Sequence, residues 1–224
     1  MGAAALAVTG VATAPATAGP GGGEQEANAA GATCQVLRYE TSQGRYRAGY
    51  DNQGTAYVAI EPPFGYGTGD NYGVGFEWEA PYENRNWFTF RLGGLTAGSV
   101  TKAELVIQNY TGGYGPGGSY RLRQVTTAPG ALNKHTAPAD DVYDDLGDGP
   151  VYGSAWVTQA SMSSQAVTRV PLNAKGVAAV NAAAGRAFSL GGDLSHPDPD
   201  VLSSLLWSNS SGAGVQRLVV TSCS

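Results

Sequence analysis

Lysine is scarce in this chain: Lys102, Lys134 and Lys175 are the only three in 224 residues, and no basic side chain of either kind precedes Arg38. The ten arginines are scattered and the formal net charge is −5, so no cluster of cations is available to neutralise nucleic-acid phosphates or to settle on an anionic membrane surface. Histidine is nearly absent too. His135 and His196 both sit in polar segments, and no G-x-S-x-G elbow accompanies them, which removes the usual parts of a Ser-His-Asp hydrolase. No Cys/His pair has the spacing of a zinc site. Long apolar runs are missing as well: the most apolar stretch, residues 1–18, is broken by Gly10 and Pro15 and is short for a membrane span.

Residues 1–18 instead read as a signal-peptide-like segment ending in Ala16-Thr17-Ala18, an A-x-A cleavage pattern without a basic n-region, so a true start further upstream is expected. Residues 19–33, rich in Gly, Ala and Glu and without periodicity, read as a flexible leader. A secreted, extracellular protein is the expectation, and it gives meaning to the two cysteines. Cys34 and Cys223 bracket everything that looks globular, and a disulfide between them would clasp the first strand to the last.

Residues 34–223 are long enough for one domain with a full core. Their rhythm is five to eight alternating or β-branched apolar residues followed by Gly, Pro, Asn or Asp, the pattern of an all-β protein. Strands are expected at 35–40, 55–60, 73–79, 87–92, 100–109, 120–126, 154–158, 166–172, 187–190, 202–207 and 215–221. In Trp87–Leu92, Phe88, Phe90 and Leu92 alternate with Trp87, Thr89 and Arg91. Ala103, Leu105 and Ile107 form a second such row. One segment breaks the rhythm. Asn173 suits a helix N-cap, an alanine-rich stretch follows, and Gly185 stands where a left-handed C-cap belongs, so one short helix is expected near Ala174–Ala184, with Val177 and Val180 facing the sandwich and Lys175 and Asn181 facing water.

Several phrases in order, Asn86-Trp-Phe-Thr-Phe-Arg-Leu92, Val100-Thr-Lys-Ala-Glu-Leu105, Tyr120-Arg-Leu-Arg-Gln-Val125, Asp145-Leu-Gly-Asp-Gly-Pro-Val-Tyr-Gly153, Leu172-Asn173 and Phe188-Ser-Leu-Gly-Gly-Asp-Leu194, resemble secreted bacterial β-sandwich modules found with PEP-CTERM-type sorting tails. More distantly they resemble the DNRLRE-type modules of cell-surface proteins. The likeness covers residues 86–194 and implies a jelly-roll-like antiparallel β-sandwich and an exported location. It implies no activity, because fold alone does not carry function. The chain departs from that group in its His196-Pro-Asp-Pro-Asp200 segment and in ending on a strand without an apolar tail, so a soluble, released form is expected.

Three constellations carry candidate chemistry. Tyr66, Tyr72, Tyr110, Tyr114 and Tyr120 stud two glycine-rich stretches, where exposed rings would stack on sugars. The run Asp140 to Asp148, with Asp144, Asp145 and Asp148 as the nearest ligand set, reads as a loop able to offer Ca²⁺ hard oxygens, although D-x-D-x-D-G spacing is lacking. Glu77 and Glu79 share one face of an expected strand, with Glu83 beyond, as a pair for glycoside hydrolysis would. The leading expectation is a non-catalytic, carbohydrate-directed extracellular binding module with no cofactor beyond a structural calcium. A structural matrix or surface protein is the rival, and a glycosidase using Glu77 and Glu79 the weaker third.

Overall fold

The computed structural model describes residues 25–27, 33–41, 53–59, 64–66, 72–77, 82–108, 115–158, 160–161, 166–197, 204–205 and 216–224. Its strands are β1 (Gln25–Ala27), β2 (Thr33–Glu40), β3 (Gln53–Ala59), β4 (Phe64–Tyr66), β5 (Val74–Glu77), β6 (Tyr82–Arg91), β7 (Val100–Gln108), β8 (Gly118–Gln124), β9 (Val151–Val157), β10 (Val167–Pro171), β11 (Ala187–Ser195), β12 (Ser204–Leu205) and β13 (Arg217–Cys223). Each strand expected from the alternation is present with shifted ends. β1 and β4 are additions to the expected set: β1 pairs antiparallel with β2, Gln25 opposite Gln35, and β4 with β3, Tyr66 opposite Ala56.

The strands form two antiparallel sheets packed face to face. One runs β1-β2-β13-β7-β10, the other β12-β5-β6-β11-β8-β9, with β3 added to β6 and β4 to β3. The pairings nest: β8 with β9, β7 with β10, β6 with β11, and β2 with β13. A long hairpin rolled so that alternate strand pairs fall in opposite sheets gives this order, which is the jelly roll. Period-2 alternation supplies the core between the sheets: Phe88 and Phe90 of β6 with Leu92 just past its end, Leu105 and Ile107 of β7, Leu122 of β8, Leu190 of β11, and Leu218 and Val220 of β13 are all fully buried there.

Three helices decorate the roll where one was expected. α3 (Ala174–Ala182) is the expected helix at its start, where Asn173 Oδ1 accepts from the Gly176 amide at 3.1 Å, but its C-cap is Ala183: Gly185, with φ 74°, lies two residues further on and bonds its amide to the Leu92 carbonyl at 2.9 Å. Val180 is buried against the core, but Asn181 does not face water. Its side chain accepts from the Val100 amide at 2.9 Å and donates to the Val100 carbonyl at 3.0 Å, supplying both backbone bonds that a neighbouring strand would. α1 (Pro129–Asn133) and α2 (Ala139–Asp148) lie in the β8–β9 connection and were not expected. They cover part of the outer face of the β6–β11 sheet, where Leu132, Val142, Tyr143 and Leu146 enclose Trp87 and Ala56 in a second core. Trp87 and Thr89 are therefore buried although they point away from the first core.

Cys34 and Cys223 are joined. They sit opposite each other on β2 and β13, and the flanking pair Thr33–Ser224 exchanges both backbone hydrogen bonds, at 3.2 and 3.0 Å. The cysteines thus occupy the non-hydrogen-bonded position, where antiparallel Cα atoms come closest; theirs are 4.0 Å apart. Closing a loop of 189 residues removes up to about 5 kcal/mol of unfolded-state freedom. The Cys34→Ser/Cys223→Ser protein should therefore keep the fold but unfold at lower urea, and intact protein under mass spectrometry should show the pair oxidised. Equal urea midpoints for the two proteins would contradict this.

Candidate functional site

The tyrosines nominated as ligand contacts divide. Tyr110 and Tyr114 lie outside the described residues. Tyr72 and Tyr120 have no exposed surface at all, so neither offers a ring face to a ligand, which corrects the expectation of solvent-facing loops. Both are knots in a buried polar chain between the sheets. The Tyr120 hydroxyl donates to Asn86 Oδ1 at 2.8 Å, and Asn86 Nδ2 donates to the Tyr72 carbonyl at 2.9 Å. The Tyr72 hydroxyl donates to the Gln108 carbonyl at 3.0 Å and accepts from Gln216 Nε2 at 2.8 Å, while Gln216 Oε1 accepts from the Gln108 amide at 2.8 Å. Burial pushes the Tyr120 hydroxyl far above its ordinary ionisation range, keeping it a donor. Gly192 makes the junction possible, since a Cβ there would lie 2.1 Å from Tyr120 Oη and 2.2 Å from Asn86 Oδ1.

Tyr66 is half-buried and also engaged. Its hydroxyl donates to the Ala137 carbonyl at 2.7 Å and its ring stacks on His135, centroids 4.4 Å apart and 7° from parallel. His135 is the non-glycine residue with positive φ, 52°, among those described. It occupies the position after the α1 C-cap: its amide bonds the Leu132 carbonyl at 3.0 Å and the Thr136 amide bonds the Ala131 carbonyl at 3.0 Å, the two bonds of a Schellman ending. Packing against Tyr66 and the edge of Trp87 holds this imidazole in place.

The acidic run is a helix, not a loop. Val142, Tyr143 and Leu146 form its buried side, and Asp144 and Asp148 are exposed. Asp145 turns the other way. Its carboxylate accepts from the Thr126 amide at 3.0 Å, the Thr127 amide at 2.7 Å, and the two threonine hydroxyls at 2.6 and 2.7 Å, stitching α2 to the end of β8. Among the described residues no three His, Cys, Asp or Glu side chains converge in a way that would hold a metal ion. Asp144, Asp145 and Asp148 are therefore not brought together as ligands. Of the glutamate trio, Glu79 lies outside the described residues, Glu77 ends β5, and Glu83 on β6 takes a hydrogen bond from the Tyr143 side chain.

What the sequence reading missed lies on the other half of the same outer face, which no described helix covers. Register places residues of β9, β8 and β11 in rows across it. Trp156, Ser119 and Ser195 form one row; Ser154, Arg121 and Asp193 form the next. Trp156 is 53% exposed, unusual for so large an apolar side chain on a strand, with the His196 ring 6.0 Å away. Asp193 is buried and shared by two arginines: Arg121 reaches it through Nε at 3.2 Å and through Nη2, and Arg123 through Nε at 3.0 Å. Arg123 Nη1 also donates to the Gly149 carbonyl at 2.8 Å, just past α2. The Arg121 side chain remains 33% exposed. The alternation of Ser154 and Trp156 did put both on one face, but only the register shows that this face is the outer one and that an arginine stands beside it.

No protein-family model matches the chain, and no curated protein matches it either.

Burial by itself raises the Asp145 carboxyl, but the bonds from Thr126 and Thr127 outweigh it and hold the group below its ordinary value of 3.8. A depressed folded value gives stability that is complete above the unfolded pKa and is lost as pH falls through the folded one. Urea midpoints measured from pH 6 down to 2.5 should therefore drop more steeply in the native protein than in Asp145→Ala, which should itself be less stable at pH 6 by roughly 2 kcal/mol. Parallel curves would remove this role from Asp145.

Proposed function

We propose that the protein is a secreted, non-catalytic binding module that takes a glycan on the open half of the β8–β9–β11 face. The observation that carries the reading is Trp156: a large ring 53% exposed, mounted on a strand in place of a mobile loop, and bordered by hydroxyl, imidazole and guanidinium groups. An indole face matches the apolar C–H face of a pyranose, while the polar neighbours suit its hydroxyls. A rigid strand lets the ring bind without first being ordered. The disulfide supports an oxidising compartment, in keeping with the apolar A-x-A segment of residues 1–18. The non-catalytic part of the reading is supported by how three polar groups are engaged, His135 packed in a helix ending, Asp145 as a staple and Glu83 with Tyr143, while Glu79 of the glycosidase pair lies outside the described residues.

A glycan array separates this reading from a structural protein without a ligand. The native protein should give hits, and Trp156→Ala should weaken them at least tenfold, about 1.4 kcal/mol, while shifting the melting temperature little because the ring is half in solvent. An array without hits would favour the structural reading. Hits untouched by Trp156→Ala would move the site elsewhere.

A further inference from the structure

We infer that Arg121, held along one edge by Asp193, is the specificity-determining residue of this face and that the glycan presents an oxyanion to it. The inference rests on the proposed glycan site and goes beyond it. Two guanidinium groups share one buried carboxylate, so the cluster keeps one positive charge on a chain whose net charge is −5. The two arginines are not equivalent. Arg123, with a side chain 14% exposed, spends its donors on Asp193 and the Gly149 carbonyl, and so braces Asp193 from the α2 side. Arg121 gives Asp193 only its Nε–Nη2 edge. Its Nη1 amino group has no partner among the described residues, and its side chain is 33% exposed.

A guanidinium held along one edge is fixed in plane and direction, with its terminal edge turned outward. That edge offers two parallel N–H donors to a planar oxyanion without a further loss of side-chain freedom. The Arg121 row lies next to the Trp156 row, about 7 Å along the strands, with Arg121 one strand over. A sugar stacked on Trp156, or the next residue of its chain, spans that distance with an exocyclic group. A neutral glycan would leave the cluster's excess charge unmatched, whereas a carboxylate or sulfate on the sugar matches it.

The test is binding of polygalacturonate, of the same polymer with its carboxyls reduced to alcohols, and of a sulfated galactan, by native protein, Arg121→Gln, Arg121→Lys and Trp156→Ala. Native protein should bind at least one acidic polymer ten times or more tightly than the reduced polymer, and affinity should fall as salt rises. Arg121→Gln should abolish the preference. Arg121→Lys should keep the salt dependence but lose most of the affinity, because a point charge lacks the fork. The carboxylated and sulfated arms identify which oxyanion is meant. Circular dichroism and melting of each variant show whether the sheet survives; should Arg121→Gln fail to fold, the comparison of acidic and reduced polymers by native protein still decides. Equal binding of acidic and reduced polymers, lost in Trp156→Ala, would overturn the inference and leave the glycan reading intact. Binding to every polyanion that Trp156→Ala does not weaken would mean simple ion exchange and would overturn the inference. Absence of binding both here and on the glycan array would overturn the underlying reading.

Discussion

The pairing of β2 with β13 is the constraint on which the architecture depends. Every other principal pairing lies inside it in sequence, β6 with β11, then β7 with β10, then β8 with β9, so this outermost one closes the roll. It is reinforced three ways. The Cys34–Cys223 bond locks one end, the Thr41–Gln216 backbone bond at 3.0 Å continues the ladder past the other, and β13 lies against β7 along its second edge. The buried chain Tyr120–Asn86–Tyr72–Gln216 then reaches from the residue before β13 into the opposite sheet. Sheets held only by apolar contacts can slide. A satisfied hydrogen-bonded chain in a low-dielectric core permits one alignment, because any displacement leaves buried donors unpaired.

The two halves of the outer β6–β11–β8 face show what a single sheet can be used for. Over Trp87, Ala56 and Gly191 the chain lays two helices, and Gly191 lets α2 approach, since a Cβ there would meet the Leu146 backbone at 3.0–3.1 Å. Over Arg121, Asp193 and Trp156 it lays no described helix. The boundary is where Arg123 donates to Gly149 at the end of α2. Asp145 fixes the same helix to β8 from the other side, so the covered half gives rigidity to the strands that carry the open half.

The sequence was informative where the signal is local. Strand alternation in Trp87–Leu92 and Ala103–Ile107, the Asn173 N-cap of α3, and the pairing of Cys34 with Cys223 were all legible from neighbouring residues or from simple compartment arguments. α2 was not, because Asp144, Asp145 and Asp148 crowd its last turns, where negative charge opposes the helix dipole. Tertiary bonds from Thr126 and Thr127 compensate, and nothing near Asp145 in sequence announces them. The tyrosines misled for the same reason. Tyr72 and Gln216 are 144 residues apart, and a tyrosine beside glycines looks alike whether its hydroxyl meets water or a buried amide. Trp156 was hidden by register, which decides between inner and outer faces and is a property of pairs of strands.

The clasp also bears on how the chain finds its fold. Its cysteines are 189 residues apart in the chain and are neighbours because the outermost strand pair brings them together. Such non-local pairings make a chain of high contact order, slow to find its topology. The crosslink therefore matters most when the folded chain opens: β2 and β13 stay adjacent while the inner pairs separate, and the search that re-forms the roll starts with its ends already together.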